Sequence, residues 1–209
     1  MTRLARRLLL RLGLAGLAAP PVLALAQDAA AEQAPIRKLD DAILDVMKAG
    51  RQRPFRERYK SLEPALTQAI DIAAVLQGAV GLAWSSIPPA QQGALTAEFQ
   101  RFTVATYVAN FDSFSGERFE LDKQLRAVGA EQVVQTRLVR PSGETTRIDY
   151  VMRQSDGAWR AVDVLLDGSI SRVAVLRSDF RSLLASGDGA ALLDSLRRKV
   201  SDLSAGTLQ

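Results

Sequence analysis

The chain has 209 residues, with no Cys, no His, and 27 Lys and Arg against 23 Asp and Glu. Disulfides, thiol nucleophiles, imidazole metal ligands and Ser-His-Asp or Cys-His catalysis are therefore excluded. The positive balance sits in residues 1–26, which hold four arginines and no acid; the rest is neutral, with 23 basic against 23 acidic residues, and lacks a compositional case for a nucleic-acid partner.

Residues 1–26 read as a secretory signal peptide. Arg3, Arg6 and Arg7 precede an apolar run, and Ala24-Leu25-Ala26 is an A-x-A cleavage site. Arg11 and Pro20-Pro21 interrupt the run, which argues against a membrane span. The Arg6-Arg7 pair leaves Sec and twin-arginine export both open. The expectation is an exported, soluble chain with an Ala/Gln-rich disordered leader at 27–35 and a single domain at 36–205.

Ile36, Leu39, Ile43, Val46 and Met47 fall at helical spacing, with Asp40 and Asp41 read as acids near the helix start and Gly50 as its stop. The basic run 51–60 carries Phe55 and Tyr59 four residues apart. It reads either as a solvated helix face with two aromatic anchors or as a patch for anionic headgroups. Pro64 starts or kinks the next helical stretch, and Trp84 is a core anchor or a ligand contact. Pro89 suits the first position of the longest helix, whose stripe runs Leu95, Phe99, Phe102, then Tyr107 to Phe111. Such a stripe serves a core or a pocket equally, since a pocket is a core left partly unfilled.

Residues 118–126 and 131–140 alternate as strands, as do 147–153 and 158–166, and Asp156-Gly157 between the last two is a hairpin signal. Helices follow at 169–186 and 189–203. The class is α+β: helices packed on one face of a curved four-stranded antiparallel sheet. There is no Gly-rich phosphate loop, no Gly-x-Ser-x-Gly elbow and no clustered acid spacing for calcium. Asp149 and Asp163, on neighbouring strands, are the carboxylates that stand out. They form a proton-transfer pair in one reading and arginine or backbone partners in the other. Their phase is opposite to Ile148, Tyr150 and Met152, which puts them outside any pocket on that face.

The ordered combination Ile148-Asp149-Tyr150-Val151-Met152-Arg153, Asp156-Gly157, Trp159, Asp163-Val164, Asp167-Gly168-Ser169 and Arg177-Ser178-Asp179-Phe180 resembles the MlaC, or toluene-tolerance, family of periplasmic phospholipid-binding proteins. Within it the chain looks most like the hopanoid-biosynthesis-associated (HpnM-like) branch. It departs at Val175-Leu176, where many relatives carry a polar pair. The resemblance implies a non-enzymatic lipid carrier without a cofactor. It would shuttle hopanoid or phospholipid between an inner-membrane transporter and an outer-membrane partner, touching membrane surfaces only transiently. The sheet would then enclose an apolar lipid pocket. Its expected lining is Phe102, Tyr107, Phe111, Ile148, Tyr150, Met152, Val162, Val164, Leu166, Val173 and Leu176. Two alternatives stay open: an envelope adaptor that binds no lipid, and an Asp149- or Asp163-dependent enzyme acting on a steroid-like lipid.

Overall fold

In the computed structural model, which describes residues 22–185 and 187–208, the sheet is built around one hairpin. Strands β4 (Thr145–Ser155) and β5 (Ala158–Leu166) are joined by Asp156-Gly157, whose φ angles are 51° and 75°. Positive φ at both central residues makes the turn whose twist matches that of the strands, which is why Asp-Gly stands there. β3 (Glu131–Val139) pairs with the free edge of β4, and β1 (Arg118–Leu121) and β2 (Arg126–Val128) both pair with β3. The expected strand at 118–126 is thus two strands. Asp122 donates its N–H to Gln135 O at 2.9 Å while its carboxylate accepts Gln124 N at 3.1 Å, a local turn that lifts the chain off the ladder.

On the other edge, β6 (Ile170–Ser171) pairs with the end of β5. This delays the helix expected from 169, and α5 runs Arg172–Phe180 with the Ser171 hydroxyl accepting from Ala174 N at 3.0 Å as its N-cap. A 3-10 turn (Arg181–Leu184) leads on to α6 (Ala190–Leu203). Among the described residues the sheet therefore has six strands, three long and three short, all antiparallel.

Helices α1 (Val22–Ala49), α2 (Phe55–Ala69), α3 (Ile72–Val80) and α4 (Pro89–Asn110) precede the sheet and cover one face of it. Residues 27–35, expected as a disordered leader, are helical within α1. Their Ala-rich composition favours helix, Glu32 and Gln33 are buried, and Gln33 Nε2 donates to Asp122 O at 2.9 Å. The expected signal peptide lies outside the described residues up to residue 21. Because α1 begins at Val22, Asp40 is not near a helix start; it stands inside the apolar stripe of Ile36, Leu39 and Ile43. α2 continues through Pro64, and the basic run 51–60 that leads into it is largely spent on the protein itself. Arg58 is buried and donates to Val108 O at 3.0 Å, Arg51 pairs with Asp112 at 2.5 Å, and Arg56 reaches Thr207 O. Trp84, in the 3-10 turn Gly81–Ser86, packs against the core from its edge.

Candidate functional site

A β-bulge sets the shape of the site. Val151 pairs with Asp163 but Met152 with Ala161, so Val162 is an extra residue in β5 and the alternation changes phase there. The freed Ala161 carbonyl accepts Asp71 N at 2.9 Å, docking the α2–α3 corner on the strand. Asp71 also caps α3 by accepting Ala74 N at 2.9 Å. Ile70 and Ile72 are thereby turned into a space between the sheet and α4.

That space is a cavity of about 340 Å³. Its helical wall is Phe99, Phe102, Thr103, Thr106, Tyr107 and Asn110, spaced by three and four along α4, then Phe111. Its sheet wall is Leu138, Ile148, Tyr150, Val164 and Leu166, and its end wall is Ile70, Ile72 and Val75. Thr103 and Thr106 donate their hydroxyls back to Phe99 O and Phe102 O, each at 2.7 Å, so they offer the cavity mainly their methyl groups. Aromatic contacts continue the wall outward, Tyr107 to Phe111 at 5.9 Å and Phe111 to Phe119 at 6.4 Å between ring centres. Tyr150 is 1% exposed and Leu166 is 42% exposed, which marks an inner end and a mouth.

The two charged residues in the lining are both arginines. Arg140 reaches Thr146 Oγ1 at 3.1 Å and the exposed Glu144 at 3.2 Å. Arg172, at the start of α5, forms no hydrogen bond or ion pair with a described residue. At the inner end, burial first of all pushes the Tyr150 hydroxyl well above its ordinary pKa and that of Tyr107 up to about 12, so both are neutral phenols that touch one another.

Seven of the expected lining residues are brought together here: Phe102, Tyr107, Phe111, Ile148, Tyr150, Val164 and Leu166. Four are not. Met152 and Leu176 are buried in the core and do not line the cavity. Val162 is turned by the bulge onto the opposite sheet face. There it lines a wider, open groove with Val128, Val151, Leu165 and Val173, the last of which packs beside Gly78 of α3. Arg140, Arg172 and the α2–α3 corner were missed, because only tertiary structure gathers them. Phe99 lay on the stripe already read from α4.

Asp149 and Asp163 do not face the cavity. Arg147 holds Asp149 with Nε at 3.0 Å and Nη2 at 2.7 Å on the far side of β4. Asp163 Oδ1 accepts Val164 N at 2.8 Å and Val173 N at 3.0 Å, and Oδ2 accepts the Ser171 hydroxyl. It fastens α5, and so carries Arg172 to the mouth. No lining residue is a carboxylate, and neither lining threonine hydroxyl is paired with a base, since each donates to a backbone carbonyl of α4.

The family model for MlaC protein matches residues 37–198. The chain belongs to the MlaC family. It is also similar to the solved structure of a phospholipid-binding protein from Ralstonia solanacearum, determined in complex with a phospholipid. The TM-score is 0.71 at 20% identity, over 83% of this chain and 98% of that one. No curated protein matches. The likeness is one of fold, helices laid on an open antiparallel sheet. No helix among the described residues is long and apolar enough to cross a membrane.

Proposed function

We propose that the protein is a non-enzymatic lipid carrier of the periplasm, holding the hydrocarbon of its cargo in the cavity between α4 and the sheet. The observation that carries this reading is the lining itself: an apolar, aromatic space with arginines only at its mouth and no reacting group within. Hydrocarbon gains about 0.8 kcal/mol for each buried CH₂, so such a space needs depth and no directed chemistry. Membership of the MlaC family supports the reading, as does the phospholipid held by the Ralstonia protein of like fold. The headgroup remains at the mouth, beside Asn110, Arg140 and Arg172.

The cargo in this proposal is a phospholipid or a hopanoid, moved between an inner-membrane transporter and an outer-membrane partner. Val164 is half-buried and opposite Tyr150 in the register, so a charge there enters the cavity without breaking the core. Val164→Glu protein incubated with phospholipid vesicles is expected to fold as the wild type does and to retain no lipid after re-isolation. Retention at the wild-type ratio would place the lipid elsewhere.

A further inference from the structure

Beyond the end of α3 the chain makes the 3-10 turn Gly81–Ser86, and Leu82 on that turn is 97% exposed. A lone exposed leucine is ordinary on a protein surface. This one differs in how it is held and in what surrounds it. Gln92 Nε2 of α4 donates to Trp84 O at 3.0 Å and to Ile87 O at 2.9 Å, and the Ser85 hydroxyl donates to Leu82 O at 3.1 Å. With the half-buried Trp84 packed against the core, the turn is fixed and holds Leu82 outward, so little further ordering is needed when it meets a partner. Beside it lies an open groove lined by Val80, Ala83 and Leu184 with two arginines, Arg177 and Arg181, and by no carboxylate. Arg177 donates Nε and Nη2 to Gly78 O at 3.1 and 2.6 Å, which ties α5 to the end of α3 without neutralising the charge. Neither arginine forms an ion pair with a described residue, and Asp179, between them in sequence, is not part of the lining. Arg177 stands five residues along α5 from Arg172 at the cavity mouth, about 8 Å of helix rise.

We propose that Leu82, Trp84, Arg177 and Arg181 form a docking site for the surface of an anionic phospholipid bilayer. The charge of the patch is of one sign, and its complement is a layer of lipid phosphates, to which a guanidinium donates in pairs. Leu82 enters the boundary between headgroups and acyl chains, and Trp84, apolar in body and polar at its N–H, suits the headgroup level. The shape favours a bilayer over a folded partner. A leucine that protrudes as a knob needs a matching pocket in a protein, whereas fluid hydrocarbon takes it without one. The inference goes beyond the carrier reading and does not depend on it. Because α5 carries both Arg177 and Arg172, docking here holds the cavity mouth close to the same surface.

The test is co-sedimentation. Protein isolated from a periplasmic fraction is mixed at low salt with vesicles of phosphatidylcholine alone, or of phosphatidylcholine and phosphatidylglycerol in equal parts, and the bound fraction is measured. Wild type is expected to bind the mixed vesicles more tightly than the neutral ones, and less so as salt rises. Leu82→Ser is expected to weaken binding to the mixed vesicles at least about tenfold, the worth of one buried leucine. Arg181→Gln is expected to weaken it about fivefold at low salt and to flatten its salt dependence. Both side chains are exposed, so neither variant disturbs the core. Wild type that stays in solution with both kinds of vesicle overturns the proposal and leaves the patch to an acidic protein partner. Leu82→Ser that sediments as wild type does also overturns it, since the membrane contact then lies elsewhere. The carrier reading is judged separately, by the lipid recovered from re-isolated protein.

Discussion

Replacing Asp40 by Asn should stabilise the protein, and by an amount that depends on pH. The carboxyl is raised from its ordinary 3.8 to about 8, chiefly by burial, then by repulsion from Asp41, and Arg37 only partly offsets this. The sign follows from where the proton sits. Below pH 3.8 the acid is protonated in both folded and unfolded chains, and it costs nothing extra. Between that value and about 8 the unfolded chain releases its proton while the folded chain keeps it, so rising pH favours unfolding by about 1.4 kcal/mol per pH unit. Carried from 3.8 to neutral pH, the slope amounts to about 4 kcal/mol. Asparagine has the same shape and no proton to lose. Urea denaturation of lipid-free wild type and Asp40→Asn should therefore give nearly equal stabilities at about pH 4, with the variant ahead by up to about 4 kcal/mol at about pH 7. Parallel stability curves across that interval would refute the reasoning, because they would mean that Asp40 titrates alike in both states.

Three further outcomes follow from the same geometry. Asp163→Ala removes the acceptor for Val164 N, Val173 N and the Ser171 hydroxyl, and should cost about 1–3 kcal/mol in urea denaturation, with earlier hydrogen exchange along α5. Gly168→Val meets two obstacles, a φ of +74° and a Cβ only 2.7 Å from Arg147 Nε. It should cost at least about 1–2 kcal/mol and loosen the Arg147–Asp149 pair, read as a lower thermal midpoint. Arg172→Glu should weaken retention of phosphate-bearing lipids about tenfold at low salt, and by less as salt rises; an unchanged ratio would remove Arg172 from the headgroup's surroundings.

Local signals gave the sheet away early. Asp156-Gly157 dictates its hairpin through backbone conformation alone, and the alternation of Ile148 and Tyr150 names the cavity face without further help. The α4 stripe is legible in the same way, since Phe99, Phe102 and Tyr107 recur at helical spacing. The bulge at Val162 has no such signature. It is fixed by Asp71 reaching the Ala161 carbonyl, about ninety residues away in sequence, and it alone moves Val162 to the other face. Arg140 and Arg172 meet at one mouth only because β6 and Asp163 set the start of α5. Asp40 was misread for a different reason: an acid beside the first apolar positions looks like a helix start until the helix is seen to begin at Val22. The same assumption made residues 27–35 a loose leader, although alanine-rich sequence is good helix sequence.

The most direct test of the central claim is mass spectrometry of organic extracts from protein isolated natively, without detergent, from a periplasmic fraction. The account predicts one lipid, phospholipid or hopanoid, in stoichiometric amount, lost in Val164→Glu. Extracts without lipid, even after the protein has been exposed to native membranes, would contradict it and leave the envelope adaptor as the better description.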